Sequence, residues 1–156
     1  GIIKRHYGWM EARTMTIAAI LEGPRPEVVT VDATDRVRAA VALLAARRIG
    51  AVPVMSDGAV IGVLSERDVL YRLAGDGAAM LEATVESVMT SPAITVTPDL
   101  SVLNALALMT RRRVRHLPVV DGGRMVGFVS IGDLVKWRID RIEAEAAAMR
   151  EYIQAS

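Results

Sequence analysis

Residues 113–135 read R-V-R-H-L-P-V-V-D-G-G-R-M-V-G-F-V-S-I-G-D-L-V. This order predicts a basic turn, a strand, a tight Asp-Gly-Gly turn, a second strand, and a helix that begins at the S-x-x-D sequence. A weaker copy, R-I-G-A-V-P-V-M-S-D-G-A-V-I-G-V-L-S-E-R-D-V-L, occupies residues 48–70. Any function assigned to the chain must therefore explain why this pattern occurs twice.

The two copies belong to a longer internal repeat. Residues 30–73 and 95–138 align without a gap at an offset of 65, and they are identical at 14 of 44 positions, which indicates duplication. Ahead of them, Ile17 and Val85 open short helical patterns at an offset of 68. A β-α-β-β-α repeat of this size cannot bury both of its faces alone. We therefore expect an α/β fold of the α+β type, in which two repeats related by a pseudo-twofold axis cover each other's sheets.

The repeat also suggests how the chain is divided. The expected segments are residues 1–13 as an N-terminal extension or expression remnant, 14–80 as the first repeat, 81–140 as the second, and 141–156 as a helical extension. The sequence A-G-D-G-A-A at 74–79 is the expected linker. Beyond it, apolar residues spaced three or four apart predict a long helix over about 132–152, which either packs on its own domain or forms a seam with a second copy.

Local signals predict the elements of the first repeat. A helix is expected from about Asp35 to Arg48, with Thr34 or Asp35 as its N-cap and Gly50 as its left-handed terminator. Two strands, 51–55 and 59–64, should flank an S-D-G turn, and Ser65 should open the following helix. The second repeat should follow the same plan.

Composition excludes several classes of function. Hydrophobic residues make up 52% of the chain and aromatic residues 4%, so the core must be aliphatic. There is no cysteine, which rules out disulfides, thiolate catalysis and cysteine-based zinc sites, and two histidines make a multi-histidine metal centre improbable. A net charge of +1 argues against nucleic acid as a partner. No apolar run approaches the length of a membrane span, and we expect a cytoplasmic protein without a membrane partner.

The repeated G-h-h-S-x-x-D sequence, in which h is apolar, has two interpretations. It comprises Gly62, Ser65 and Asp68, and then Gly127, Ser130 and Asp133. Serine and the acid can form a capping box at a helix start, although aspartate is shorter than the usual glutamate and should reach back less well. The carboxylate can instead take the hydroxyls of a ribose, with a phosphate near the helix-start N–H groups. Both roles can hold at once.

A basic cluster, residues 111–116, has three interpretations. It can end a helix and meet its dipole, it can contact nucleic acid, or Arg115 and His116 can bind a phosphate at the start of the following strand. The equivalent positions in the first repeat are Gly50 and Ala51, which carry no charge. We therefore expect the two repeats to differ in affinity for anions. No phosphate loop, nucleophile elbow or catalytic triad is present, so no enzymatic activity is predicted.

These residues resemble the CBS domain family, named after cystathionine β-synthase. The resemblance rests on R-V-R-H-L-P-V-V-D-x-G-x-x-V-G-F-V-S-x-x-D, preceded by I-T-V-x-P-D-x-x-V, and on the upstream copy with its S-E-R-D sequence. Together these matches cover about residues 14–140. The resemblance implies a tandem CBS pair, or Bateman module, which senses adenosine-containing ligands in clefts to which both repeats contribute.

The resemblance also implies roles for individual residues. Aspartate holds the ribose, the serine lies near ribose or phosphate, the leading-strand threonine lines the cleft, the position before x-P-V lies against the purine, and basic residues contact phosphate. The corresponding residues are Thr30, Ala51, Ser65, Arg67, Asp68, Thr95, Arg115, His116, Ser130 and Asp133. Two departures stand out. The first copy has uncharged Gly50-Ala51 where phosphate-binding members often carry charge, so one cleft is expected to be weak, to be empty or to take another ligand. In the second motif, Ile131-Gly132 replaces Glu66-Arg67.

The sequence therefore predicts a regulatory adenine-nucleotide-binding module that forms a homodimer and acts on an unidentified protein. AMP, ADP and ATP are the first candidate ligands, with NAD and S-adenosylmethionine behind them, and no cofactor is required. The alternative is a dimeric interaction scaffold whose clefts are vestigial. The third and less favoured hypothesis is a nucleic-acid-binding protein that uses the basic cluster.

Overall fold

The computed structural model describes residues 15–155, so the expectation for residues 1–13 lies outside the described part of the chain. The described part contains six α-helices, five strands and one 3-10 helix. In chain order they are α1 (Ile17–Glu22), β1 (Val31–Asp32), α2 (Val37–Arg47), β2 (Ala51–Ser56), β3 (Ala59–Ser65), α3 (Glu66–Asp76), the 3-10 helix (Gly77–Glu82), α4 (Val85–Val88), α5 (Val102–Arg112), β4 (His116–Asp121), β5 (Arg124–Ser130) and α6 (Ile131–Ala155).

The first repeat forms a three-stranded sheet in the order β1-β2-β3. β1 runs parallel to β2, which is possible because α2 connects them, and β2 pairs antiparallel with β3. The hairpin turn places Asp57 at φ 50 and Gly58 at φ 80. Two successive positive φ angles match the right-handed twist of the flanking strands. The predicted hairpin is confirmed.

The second repeat follows the same plan with a shorter leading strand. β4 and β5 form a two-stranded sheet, and Gly122 and Gly123 in their turn both have positive φ. In place of a strand equivalent to β1, Val96 makes a single parallel bridge to Val119. Its N–H donates to the carbonyl of Pro118 at 3.0 Å, and its carbonyl accepts from the N–H of Val120 at 2.8 Å. The α+β fold expected from the sequence is confirmed.

Both ends of α2 differ from the prediction. The N-cap is Arg36, because Asp35 is used elsewhere: its carboxylate accepts the N–H of Asp32 at 2.9 Å. The left-handed residue that ends the helix is Arg48, at φ 53, and α5 ends in the same way at Arg113, at φ 55. The prediction of Gly50 as terminator was wrong by two residues.

Two further expectations changed in detail. The stretch 74–79, expected as the linker, is helical, since α3 continues to Asp76 and the 3-10 helix follows at once. Met80 in that 3-10 helix is buried, so the connection is part of the packed core. The long C-terminal helix α6 begins at Ile131 and extends to Ala155, slightly beyond both predicted ends.

The described chain contains two compact groups of residues. One, here called the sheet unit, comprises residues 26–96 and 117–128 and holds β1–β3, α2–α4 and most of the second hairpin. Its core is aliphatic, as the composition predicted: Val31, Ala33, Val37, Ala40, Leu44, Val52, Val54, Leu64, Met80, Val85 and Val88. No polar or charged side chain of the described residues is buried.

The other group, here called the helical unit, comprises described residues 15–25, 97–116 and 129–155, and it holds α1, α5 and α6. Its buried residues are Ile17, Ile20, Val102, Ala105, Met109, Val129 and Leu134. The short helix predicted to open at Ile17 is thus confirmed, and Ile17 and Ile20 form its buried face. Along α6 only Leu134 is buried, whereas Ile139, Ile142 and Met149 are 49%, 49% and 64% exposed.

The leading helix of each repeat is bonded to the other repeat. In the helical unit, Thr16 forms an antiparallel bridge with Ser101, and the N–H of Ile17 donates to the carbonyl of Leu100 at 2.9 Å. In the sheet unit, Arg36 and Thr84 form the equivalent bridge at the starts of α2 and α4. The two repeats have therefore exchanged their leading helices.

Candidate functional site

The first S-x-x-D sequence forms a complete capping box at the start of α3. The backbone N–H of Asp68 donates to Ser65 Oγ at 3.3 Å, and Asp68 Oδ2 accepts the N–H of Ser65 at 2.9 Å. The aspartate therefore reaches back to the backbone at an ordinary hydrogen-bond distance, so the expectation that it would reach back less well was wrong. Because the side chains of Ser65 and Asp68 each accept a backbone N–H of the other residue, the carboxylate is held in one orientation.

A residue from the second repeat reaches the other oxygen of Asp68. Thr90 Oγ1 donates to Asp68 Oδ1 at 2.8 Å. Thr90 is held in place by two backbone hydrogen bonds with Val63 of β3, each 3.0 Å long. Gly62 permits this approach, because a Cβ at that position would lie 2.8 Å from the carbonyl oxygen of Thr90. The glycine of the repeated motif thus leaves room for the neighbouring backbone.

The second S-x-x-D sequence forms the same capping box at the start of α6. The N–H of Asp133 donates to Ser130 Oγ at 3.1 Å, and Asp133 Oδ2 accepts the N–H of Ser130 at 2.8 Å. The capping interpretation is therefore confirmed for both motifs. Capping does not exclude ligand contact, because the box occupies only one oxygen of each carboxylate. In Asp68 the other oxygen already accepts from Thr90.

Asp133 also pairs with a cation from the first repeat. Arg25 Nη2 lies 3.1 Å from Asp133 Oδ2, and the two side chains are 23% and 37% exposed. Burial by itself raises the pKa of Asp133, but the hydrogen bonds from Ser130 and Arg25, with the charge of Arg25, outweigh it and leave the pKa below its ordinary value. The carboxylate is therefore ionised at neutral pH. Within residues 15–155 its Oδ1 accepts no hydrogen bond.

The strand before each hairpin is tied to the helix start that follows it. The N–H of Glu66 donates to the carbonyl of Gly50 at 2.9 Å, and the N–H of Ile131 donates to the carbonyl of Arg115 at 2.8 Å. These two bonds are equivalent in the repeat. They place the backbone of the predicted phosphate-binding residue Arg115 beside the helix start that carries Asp133.

The predicted site residues around these bonds differ in exposure. Buried Ala51 pairs in register with Ser65, in the same sheet unit as Asp68. Arg115 is exposed, and its side chain makes no hydrogen bond or ion pair with any described residue, while His116 is half-buried. A charged residue and an imidazole thus stand in the second repeat where the first has glycine and alanine.

The side chains of three predicted site residues form no hydrogen bond with the residues of either motif. Thr30, Arg67 and Thr95 are exposed, and their side chains make no hydrogen bond or ion pair within the described range 15–155. Their assignment to a ligand site stays a prediction. No group of three or more acidic or histidine residues in that range is arranged to hold a metal ion.

Sequence reasoning did not find Thr90 and Arg25, the residues that reach the two carboxylates. Each lies in the segment between the leading helix and the leading strand of its own repeat, and each contacts the motif of the other repeat. Their numbers differ by 90 − 25 = 65, which is the repeat offset. That offset was the available signal, but the two residues are chemically unlike and lie in a stretch without recognisable similarity.

An open groove of about 480 Å³ lies on the sheet unit between α2 and α3. It is lined mainly by apolar residues: Val41, Leu44, Ala45, Arg48, Ile49, Gly50, Glu66 and Val69. Neither Ser65 nor Asp68 lines it. The groove therefore meets the first motif only at Glu66.

Comparison with known proteins identifies the family. The CBS domain model matches residues 17–75 and again residues 85–140. The chain belongs to the CBS domain family. CBSX3 of Arabidopsis thaliana, a mitochondrial CBS domain-containing protein, is 37% identical over 125 residues, which are 77% of this chain and 61% of that protein. The resemblance to a tandem CBS pair is confirmed, and the chain spans less than two thirds of the length of this relative.

Two similar CBS structures contain adenosine compounds. The structure of CBSX2 in complex with AMP is 25% identical, has a TM-score of 0.68, and covers 80% of this chain and 96% of its own. The CBS domain pair of protein MJ0100, solved with methylthioadenosine and S-adenosyl-L-methionine, is 25% identical with a TM-score of 0.67 and covers 78% and 97%. In the described part of the chain, no helix is long and apolar enough to cross a membrane.

Proposed function

We propose that the chain is a regulatory module that binds adenosine-containing ligands, first among them AMP, ADP and ATP, at its two S-x-x-D helix starts. The observation that carries the proposal is the carboxylate of Asp133. Ser130 fixes its orientation, it is ionised, and its Oδ1 accepts no hydrogen bond from residues 15–155. A fixed carboxylate with an open oxygen suits a ribose hydroxyl. The AMP in the similar CBSX2 structure supports this ligand class.

The second motif is the better candidate for a phosphate-bearing ligand. The backbone of Arg115 is bonded to the first residue of α6, and its exposed guanidinium can turn toward an anion at that helix start. The N-terminal end of α6 adds the positive end of the helix dipole. The first motif lacks an equivalent cation, because Gly50 occupies the matching position.

The proposed role is binding and signalling, without catalysis. A ligand can signal only if it binds two arrangements of the protein with different affinity. Because Arg25 and Thr90 each reach the motif of the other repeat, a ligand at either carboxylate would alter a contact between the repeats. The unidentified regulated protein and a cytoplasmic location are also parts of the proposal, and co-purification and imaging of a tagged chain would test them.

Calorimetric titration and thermal unfolding with AMP, ADP, ATP, NAD and S-adenosylmethionine test the ligand class. A ligand that binds the folded chain raises the unfolding free energy by about 2.7 kcal/mol at a concentration 100 times its Kd. We expect such a shift with at least one adenine nucleotide. The absence of both binding heat and a thermal shift for all five compounds would refute the proposal.

The variant Asp133→Asn tests the site. Loss of a charged acceptor should weaken nucleotide binding about tenfold or more, since hydrogen bonds to charged groups contribute ~1.5–3 kcal/mol. Ser101→Ala is the matched control, because Ser101 Oγ accepts the N–H of Asn104 at 3.0 Å and caps α5 without touching either motif. Equal losses of affinity in both variants would show that Asp133 acts only as a helix cap.

A second candidate function, a dimeric interaction scaffold, is favoured by α6. Its exposed residues Ile139, Ile142, Met149 and Ile153, with half-buried Ala146 between them, follow the alternating spacing of three and four of a coiled-coil seam. If two copies pair through this face, Ile142→Lys should yield monomers in light scattering, whereas Asp140→Lys on the same helix should not. A wild-type chain that is monomeric at high micromolar concentration would dismiss the seam.

A further inference from the structure

The side chain of Arg25 forms an ion pair with Asp133 of the second motif. It comes from the segment between α1 and β1, yet its Nη2 lies 3.1 Å from the carboxylate of Asp133, 108 residues away. The pair is partly shielded from solvent, with side-chain exposures of 23% and 37%. Shielding lessens screening by water and salt, so the charge of Arg25 acts more strongly here than on an open surface.

The equivalent place beside the first motif holds a neutral group. Thr90, 65 residues after Arg25, donates its hydroxyl to Asp68 Oδ1 at 2.8 Å. Both carboxylates thus accept from a donor in the same segment of the other repeat, and among the described residues a cation contacts only Asp133. The difference between the two motifs is therefore one of charge, while their backbone hydrogen bonds match.

The geometry points to Arg25 as a residue that selects ligands by charge at the second motif; this inference rests on the proposed function. A guanidinium that bonds Oδ2 leaves Oδ1 for a ribose hydroxyl. A ribose bound there would bring its 5′ substituent within the range of the guanidinium charge. This positive charge favours a phosphate. A positively charged sulfonium, as in S-adenosylmethionine, would be repelled.

Arg25 thus makes the second motif prefer adenosine compounds that bear an anion over neutral or cationic ones. Adenosine, AMP and S-adenosylmethionine share the base and the ribose and differ in the charge attached near the 5′ carbon. They form a series in which Arg25 changes the order of affinity and Asp133 changes all three affinities.

The test compares the wild-type chain with Arg25→Gln and Arg25→Lys by calorimetric titration of these three compounds. Glutamine keeps a donor for Asp133 but removes the charge, so AMP affinity should fall about tenfold, adenosine affinity should stay within about twofold, and S-adenosylmethionine affinity should stay or rise. Lysine restores the charge and should restore most of the preference for AMP.

The possible failures are distinguishable. Equal changes for AMP and adenosine in Arg25→Gln would show that Arg25 only positions Asp133, and an unchanged AMP affinity would show that it does not act on the ligand. Either result would overturn the inference and leave the proposed function intact. A wild-type chain that binds none of the three compounds would overturn the inference, and the proposed function falls with it only if ADP, ATP and NAD also fail to bind. Urea unfolding of each variant checks that the fold is retained.

Discussion

The two helix starts that carry Asp68 and Asp133 share one backbone design and differ in their surroundings. Each aspartate closes a capping box with a serine three residues earlier. Asp68 then accepts from the hydroxyl of Thr90, so both of its oxygens are engaged. Asp133 instead pairs with the cation Arg25, and its Oδ1 accepts no hydrogen bond from residues 15–155. Duplication has kept the hydrogen bonds that shape the helix start and has changed the charge next to it.

The largest expected effect concerns how firmly each helix start is anchored. Leu134, directly after Asp133, is fully buried, while the equivalent Val69 is only half-buried. Leu134→Ala should lower the unfolding free energy by ~2–5 kcal/mol, because it leaves a cavity in the core of the helical unit. Val69→Ala should cost less than half of that. Equal losses in urea unfolding would show that the two starts are anchored alike.

The next effect in size concerns the close approach at the first motif. An added Cβ at Gly62 would lie 2.6 Å from Met89 Sδ and 2.8 Å from the carbonyl oxygen of Thr90. Gly62→Ala should therefore destabilise the chain by ~1–3 kcal/mol through overpacking. Gly75→Ala in α3 is the control, since nothing lies within 4 Å of its added Cβ, and it should stabilise by ~0.5–1 kcal/mol. A neutral Gly62→Ala would mean that the segment around Thr90 moves easily.

The smallest effect is a dependence of stability on pH at the second motif. Because the folded-state pKa of Asp133 is lowered, its ionised form stabilises the folded chain above the usual carboxyl range, about pH 4. This contribution is lost as the pH falls from there through the lowered folded-state value. It should be about 1 kcal/mol or less, because the Arg25 ion pair is partly exposed.

Urea unfolding between pH 7 and pH 3 measures this contribution. The difference in stability between the wild-type chain and Asp133→Asn should shrink as the pH falls. Asp140→Asn, an exposed position on the same helix without an ion pair among the described residues, is the control. A difference that stays constant down to pH 3 would contradict the assignment of the ionised carboxylate as the stabilising group.

Much of the fold could be predicted because its signals are local. The turns with Asp57-Gly58 and Gly122-Gly123 require positive φ, which their residue types permit, and Ser65 and Ser130 cap the helices that they precede. Because the repeats are 65 residues apart, each turn or helix start predicted in one repeat also predicted its equivalent in the other. The helix ends could not be predicted as well. The carboxylate of Asp35 accepts the N–H of Asp32 in a turn and does not cap α2, and the sequence does not distinguish these two roles.

The candidate site was predictable only in part, because its remaining contacts join residues far apart in the sequence. Arg25 and Thr90 lie in irregular segments whose partners are set by the tertiary fold, and neither segment has a periodicity that reveals its neighbours. A charged residue between two prolines signals a solvated loop as readily as a contact. The exchange of the leading helices could not be predicted either. The sequence pattern of each helix indicates which face is apolar, but it does not indicate which repeat that face packs against.

That exchange has a consequence for the origin of the chain. A solitary ancestral repeat would have carried a leading helix with apolar residues, such as Ile17 and Ile20, that its own body did not cover. Such a repeat could bury this helix only by packing it against a second molecule and accepting the helix of that molecule in return, as in a domain-swapped dimer. Fusion of two such copies into one polypeptide would turn a concentration-dependent assembly into a permanent one. Afterwards the two halves could diverge, as the neutral Thr90 and the charged Arg25 have done.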